Sequence, residues 1–223
     1  VFEVIKKYHR SPMDKVFSFL KHYGLRTYTI DLKRRTHYER TGNFPRFVAS
    51  WCVNRILGIS WIRGVIRLLD QTVVRDSVVR PFFEKYNPDL VFLADLFEDT
   101  EVSMVREAKR RNIPTIGFLS TWDRATSRWM IRLLPKKLIV FNEAIRDDAV
   151  RYVGMPTEDI YVSGAIQLDY HLKSPPRPPA EVLRSLGLSP ETKLIIYGPL
   201  GRSFDATKQI DLDMIALLNS YIE

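Results

Sequence analysis

Leu90-Val91-Phe92-Leu93-Ala94, Thr115-Ile116-Gly117-Phe118-Leu119 and Leu138-Ile139-Val140-Phe141 are three short apolar runs within residues 87–169, and Ile160-Tyr161-Val162-Ser163 follows them. Runs this short, apolar on both sides and bounded by turn residues, are what a parallel strand covered by helices requires. Between the first two, Glu101–Arg111 sets Val102, Val105 and Ala108 on one face and charges on the other, the pattern of a helix. Asn112 and Pro114 close it. Glu143–Tyr152 repeats the arrangement between the third and fourth runs, with Gly154 and Pro156 as the stop. Repeated strand–helix–strand units predict an α/β fold, an open parallel sheet with helices on both faces.

Working outward, the 223 residues suit one large domain or two smaller ones, and 45% apolar residues is enough for a core. Lys and Arg number 34 against 26 Asp and Glu, but residues 1–80 hold 16 of the basic and 6 of the acidic side chains. The first third is therefore strongly basic and the remainder slightly acidic, which predicts an anionic partner for the N-terminal portion. A single cysteine, Cys52, excludes an intrachain disulfide framework and a thiolate metal cluster, in keeping with a reducing cytoplasm. The chain opens at Val1 without Met and stops at Glu223 in what reads as a helix just begun, so a fragment of a longer protein is expected.

Val1–Tyr8 reads as a strand or the tail of a helix. Ser11-Pro12 opens a helix that Gly24 stops, and Arg26–Leu32 alternates and is rich in Thr and Tyr, predicting a strand. Lys33–Arg46 reads as a basic connection. Phe47–Leu69 has no acidic residue, two tryptophans, and Arg55, Arg63 and Arg67 on about a third of the helical circumference. Three arginines exclude a membrane span. Two readings stay open: an interfacial helix with its arginines toward anionic lipid, or a core-covering helix with arginines at its solvent edge. Gln71–Tyr86 reads as the next helix, ended by Asn87-Pro88.

After Asp169, residues 173–179 contain four prolines, a stiff connector that separates a Rossmann-like N-terminal domain (1–172) from a second α/β domain only begun (180–223). The latter reads as a helix Ala180–Leu186 ending at Gly187, a strand Lys193–Tyr197, a loop Gly198–Asp205 and a helix through Asp211–Tyr221.

In open α/β sheets ligands bind at the carboxyl ends of the strands. Ala94–Thr100 places Asp95, Glu98 and Asp99 there, either as site carboxylates or as helix-start acids with Asp99 or Thr100 as the cap. Ser120-Thr121-Trp122-Asp123-Arg124 is either a substrate wall or a segment whose Trp packs inward while Asp123 caps a helix near Arg124–Leu133. Gly198-Pro199-Leu200-Gly201-Arg202-Ser203 lets the backbone approach a ligand and offers an arginine for phosphate, without being a P-loop. Asp211-Leu212-Asp213 has the Asp-x-Asp form of metal-dependent sugar transferases but reads as helix-start acids. The four histidines lack ligand spacing, so no metal is expected, and the basic third lacks a nucleic-acid module, so no nucleic-acid partner is expected.

Asn-Pro-Asp-Leu-Val at 87–91, Asn-Ile-Pro-Thr-Ile-Gly at 112–117, Ser-Thr-Trp-Asp at 120–123, Pro-Lys-Lys-Leu-Ile-Val-Phe-Asn-Glu at 135–143 and Val-Gly-Met-Pro-Thr-Glu-Asp-Ile-Tyr-Val-Ser-Gly-Ala-Ile-Gln-Leu-Asp at 153–169 occur in order. Together they resemble the second half of the N-terminal domain of GT-B glycosyltransferases and the related UDP-N-acetylglucosamine 2-epimerases. Residues 194–202 are similar to the Leu-Tyr-x-Pro-Thr-x-Arg segment of the glycerophosphotransferase-like branch, matching at Tyr197, Pro199 and Arg202 and departing at Leu200 and Gly201. The resemblance spans about residues 87–202.

The resemblance implies two Rossmann-like domains, a nucleotide-sugar donor bound mainly by the C-terminal one and a glycan or lipid-linked acceptor by the N-terminal one. It implies a glycosyltransferase or sugar-phosphate transferase of polysaccharide biosynthesis, cytoplasmic and membrane-associated at the inner face, with no cofactor beyond the nucleotide-sugar itself. Asp123 and Asp95 are the catalytic candidates by position alone. Ser120, Thr121, Trp122, Arg124, Gly164 and Gln167 would bind substrate, and Gly198, Gly201, Arg202 and Ser203 the donor phosphates. A UDP-N-acetylhexosamine 2-epimerase and a non-catalytic GT-B-like interaction module are the alternatives.

Overall fold

The computed structural model describes residues 11–75, 78–173, 175–199 and 205–221, the side chains of 205–208 excepted. The chain divides into two compact units, Val1–Asp169 and Tyr170–Glu223. The stretch read as strand or helix tail, Val1–Tyr8, lies outside the described residues.

The first unit holds a four-stranded parallel sheet, β1 (Val91–Leu93), β2 (Thr115–Phe118), β3 (Lys137–Val140) and β4 (Ile160–Val162), in the order β1-β2-β3-β4. All four are the strands expected from the sequence. α6 (Asp99–Arg110) joins β1 to β2, and α8 (Glu143–Asp148), continued by a π-turn over Ala149–Val153, joins β3 to β4. Gly154 ends that turn at φ 83°, a left-handed position that glycine takes without strain.

Register shows which side of the strands carries the core. Leu93 pairs with Gly117, Gly117 with Leu138 and Leu138 with Ile160, so these side chains share a face. That face packs with Val102 and Val105 of α6 and Ile145 and Ala149 of the β3–β4 crossover in one core cluster. Each strand is added on the same side of its predecessor, and right-handed crossovers then put their helices on a single face. On the opposite face Phe92 is 57% and Tyr161 67% exposed. The expectation of helices on both faces is thus met on one face among the described residues.

Before the sheet come five helices: α1 (Pro12–Leu20), α2 (Tyr28–Thr41), α3 (Phe44–Leu57), α4 (Ser60–Val73) and α5 (Arg80–Tyr86). Ser11 caps α1 as expected, accepting from the Asp14 N–H at 3.1 Å. The strand expected at Arg26–Leu32 is instead the opening of α2. Thr27 caps it by accepting from the Ile30 N–H at 3.2 Å while donating to the Thr126 carbonyl at 2.6 Å. The basic connection expected over Lys33–Arg46 is the rest of α2 to Thr41, a Gly42-Asn43 junction and the first turn of α3. The single helix expected over Phe47–Leu69 is two, α3 and α4, divided at Gly58-Ile59, and the next helix breaks after Val73. Asn87, at φ 40°, ends α5 where expected.

Neither reading of Arg63 and Arg67 holds: both arginines face the protein. Arg63 is 8% exposed and donates to the Tyr152 carbonyl, and Arg67 donates to the Ile131 and Val153 carbonyls at 3.1 and 2.9 Å. They satisfy carbonyls at the end of the π-turn, where a cation also suits the helix dipole. Burial, then the neighbouring Arg63, brings Arg67 down to about 10. The outer side of α4 is apolar, with Trp61 68% and Leu68 61% exposed.

α1, α4 and α6 meet in a buried ionic cluster. Arg106 donates to Asp70 at 2.7 Å, and Arg132 donates to Asp70 at 2.8 Å and to Asp14 at 2.7 Å, all four side chains being 0–1% exposed. Burial works against the Arg132 charge, but the bonds and charges of Asp70 and then Asp14 outweigh it and raise its pKa. Full enclosure makes this a packing device, since no substrate reaches it.

In the second unit α9 (Asp169–Lys173) starts at the division, followed by α10 (Pro179–Ser185) and α11 (Asp205–Ser220). Residues 193–199 form no strand, because no described strand pairs with them; Ile195 and Ile196 are exposed. Asp211 and Asp213 lie inside α11 and not at its start, where Asp211 accepts the Tyr197 hydroxyl at 2.5 Å and Asp213 accepts from Gln209 at 2.7 Å.

Candidate functional site at the strand ends

Four parallel strands present their carboxyl ends along one edge, so the loops after Leu93, Phe118, Val140 and Val162 share it. The first two loops are tied together. Arg124, at the start of α7 (Arg124–Ser127), donates to the Asp95 carboxylate, and its guanidinium lies 5.8 Å from the Phe97 ring centre. The other Asp95 oxygen accepts from the Phe97 N–H at 3.0 Å, a local turn that fixes the loop. Asp95 is therefore committed to organising the loop, with both carboxylate oxygens engaged.

Asp123 is also engaged. It accepts hydroxyl bonds from Thr121 at 2.8 Å and Ser127 at 2.7 Å. The Ser127 bond, joined by Thr121 and the charge of Lys33, overcomes partial burial and holds its carboxyl below the usual range. It remains an anion at neutral pH and is a weak proton acceptor there. The helix expected near Arg124–Leu133 is only α7, one turn long. Trp122 does not pack inward; it is 75% exposed beside these residues, leaving its ring free for a ligand.

The acid suited to proton transfer is one that sequence reading passed over. Glu101, in the first turn of α6, accepts from the Asp95 N–H at 2.7 Å. Burial, only partly offset by this bond and reinforced by the charges of Asp95 and Glu98, raises its carboxyl to about 7. A carboxyl near neutrality beside a strand end is matched to general acid–base work. Its only sequence signal is its place directly after the acid-rich loop Ala94–Thr100.

Asp99 and Thr100 do not cap α6; Glu98 holds that position and makes no side-chain cap bond. Asp99 instead accepts from Lys21 at 3.0 Å and Arg132 at 3.3 Å, joining the site loop to the buried ionic cluster. Ser120 is half-buried at the end of β2. Gly164 and Gln167 are exposed after β4, the sheet edge farthest from β1, so they do not join the Asp95–Arg124 pair across adjacent strands. Gly198 stands in the open in the second unit, while Gly201, Arg202 and Ser203 lie outside the described residues. Among the described residues no group of three His, Cys, Asp or Glu is placed to hold a metal, and no helix is long and apolar enough to cross a membrane.

No family model, curated protein or solved structure matches this chain.

Proposed function

We propose that the protein is a GT-B-like glycosyltransferase or sugar-phosphate transferase that uses a nucleotide-activated sugar. One observation carries the reading. The carboxyl ends of adjacent parallel strands hold an Arg124–Asp95 pair next to Glu101, a carboxyl poised near pH 7, beside the exposed Trp122. In open α/β sheets that edge is where ligands bind. In the displacement, Glu101 takes the acceptor hydroxyl proton as that oxygen bonds the anomeric carbon. The bond from that carbon to the leaving diphosphate breaks at the same time. Arg124 places a cation where the departing negative charge grows.

The reading extends to a glycan or lipid-linked acceptor at the inner face of a membrane. The exposed Trp61 and Leu68 of α4, with the exposed Lys33, Arg35 and Arg40 of α2, support contact with an anionic surface. Glu101 also favours the epimerase alternative, because a carboxyl near neutrality is what proton abstraction from a UDP-N-acetylhexosamine requires.

The test is product analysis with UDP-N-acetylglucosamine and other nucleotide-sugars. Released nucleotide with a glycosylated acceptor supports the transferase. A 2-epimeric sugar supports the epimerase. Unchanged donors with every acceptor would reassign the chain to a non-catalytic interaction module.

A further inference from the structure

A cleft of about 410 Å³ is lined by Arg26, Arg55, Arg63 and Arg151, with Asp31 as the only carboxylate in its lining. Asp31 is already shared, lying 2.6 Å from Arg34 and 3.6 Å from Arg55. Among the described residues Arg26, Arg63 and Arg151 form no ion pair. Arg63 is 8% exposed, and its Nε is buried without a hydrogen-bond partner, as is that of Arg55. Burial alone lowers the Arg63 pKa, the response of a guanidinium with no counter-charge. Arg63 is the enclosed member of the set and Arg26 and Arg151 are exposed, so one enclosed cation and its neighbouring guanidinium groups repel one another unless an anion joins them.

The cleft is also built to hold those groups. The start of α2 forms one wall through Thr27 and Tyr28, and this 14-residue helix turns its positive end toward the arginines. Gly58 lets Arg26 lie across the α3–α4 junction: a Cβ there would stand 2.2 Å from the Arg26 Cγ and 2.7 Å from the Asn54 carbonyl oxygen. Asn54 in turn donates to the Tyr23 and Leu25 carbonyls at 2.6 and 2.8 Å, fixing the segment that delivers Arg26.

We infer that Arg26, Arg55, Arg63 and Arg151 with the α2 N-terminus form a binding site for a phosphate group. Guanidinium forks and a helix N-terminus together match the trigonal oxygens and charge of a phosphoryl group. The site stands on different residues from the strand-end site and does not depend on the proposed transfer reaction. Its phosphate comes either from a soluble phosphorylated molecule or from a phospholipid headgroup, and the experiment separates these.

The full chain is titrated with inorganic phosphate and with diphosphate at constant ionic strength, by calorimetry and by thermal midpoint. A parallel arm measures co-sedimentation with vesicles of phosphatidylcholine alone and of phosphatidylcholine with phosphatidylglycerol. Arg26→Gln and Arg151→Gln alter exposed arginines, so they keep the fold; Arg80→Gln serves as the control outside the cleft. The expected result is saturable binding that each cleft variant weakens about tenfold or more, and that the control leaves unchanged. Binding in the soluble arm names a soluble phosphate, and variant-sensitive binding confined to anionic vesicles names a headgroup. No binding in either arm, or binding that folded Arg26→Gln and Arg151→Gln both retain, overturns the site.

Discussion

Arg106 of α6 donates to Asp70 of α4 at 2.7 Å with both side chains 1% exposed, and through this bond the N-terminal helices are fastened to a crossover helix of the sheet. Arg132 and Asp14 complete the cluster, and Asp99 carries it to the loop that holds Asp95. Buried ion pairs contribute little net stability over apolar packing, but removing one partner leaves a charge uncompensated.

Asp70→Ala therefore costs about 3–5 kcal/mol, measured by urea denaturation of the full chain, because Arg106 and Arg132 both lose an acceptor. An effect within about 0.5 kcal/mol would show that the cluster is not intact in solution.

Glu101 gives a pH signature. Its folded carboxyl stands at about 7, above its unfolded value, so its contribution to stability is full below the unfolded pKa and fades as pH rises through about 7. Glu101→Gln keeps an acceptor for the Asp95 N–H and removes the titration. The variant should be more stable than the wild type above pH 7, by about 1 kcal/mol after solvent screening, and the two should converge by about pH 5. Parallel stability curves from pH 5 to 8 would refute the raised carboxyl.

Gly117 sits in β2 where an added Cβ would stand 2.7 Å from the Leu96 Cδ1 and 2.9 Å from the Pro135 Cγ. Gly117→Ala should destabilise by about 1–3 kcal/mol through overpacking, read as a lowered denaturation midpoint with an unchanged slope. A neutral result would mean that the loops against β2 are looser than described.

Arg124→Gln and Asp95→Asn each remove one charge of the ion pair between the first two strand-end loops. The side chains are 17% and 24% exposed, so a double-mutant cycle should give a coupling of about 0.5–1.5 kcal/mol in stability. Transferase turnover should fall about a hundredfold in Arg124→Gln, in kcat more than in KM. An unchanged kcat would remove Arg124 from the reaction.

The four strands were legible because two-sided apolarity over a few residues, bounded by Pro and Gly, leaves little else to be. Thr27-Tyr28-Thr29-Ile30 misleads for the opposite reason. Its β-branched and aromatic residues favour a strand locally, and the helix wins through the Thr27 cap and that residue's tertiary bond to Thr126. Gly58 divides Phe47–Leu69 because Arg26 must pass across it, a contact with a residue 32 positions away that no periodicity carries. The loops bearing Asp95 and Asp123 were found by position, since strand ends bear function in this class. The state of each acid was not, because it follows from Arg124, Ser127 and the burial of Glu101.

Donor binding is read most directly from the thermal midpoint of the full-length protein with UDP-, GDP-, CDP- and dTDP-sugars in turn. A ligand that binds only the native state raises the midpoint by mass action. A saturable rise of several degrees with one nucleotide class and none with the others is expected. A folded full-length protein whose midpoint moves with none of them would contradict the transferase reading.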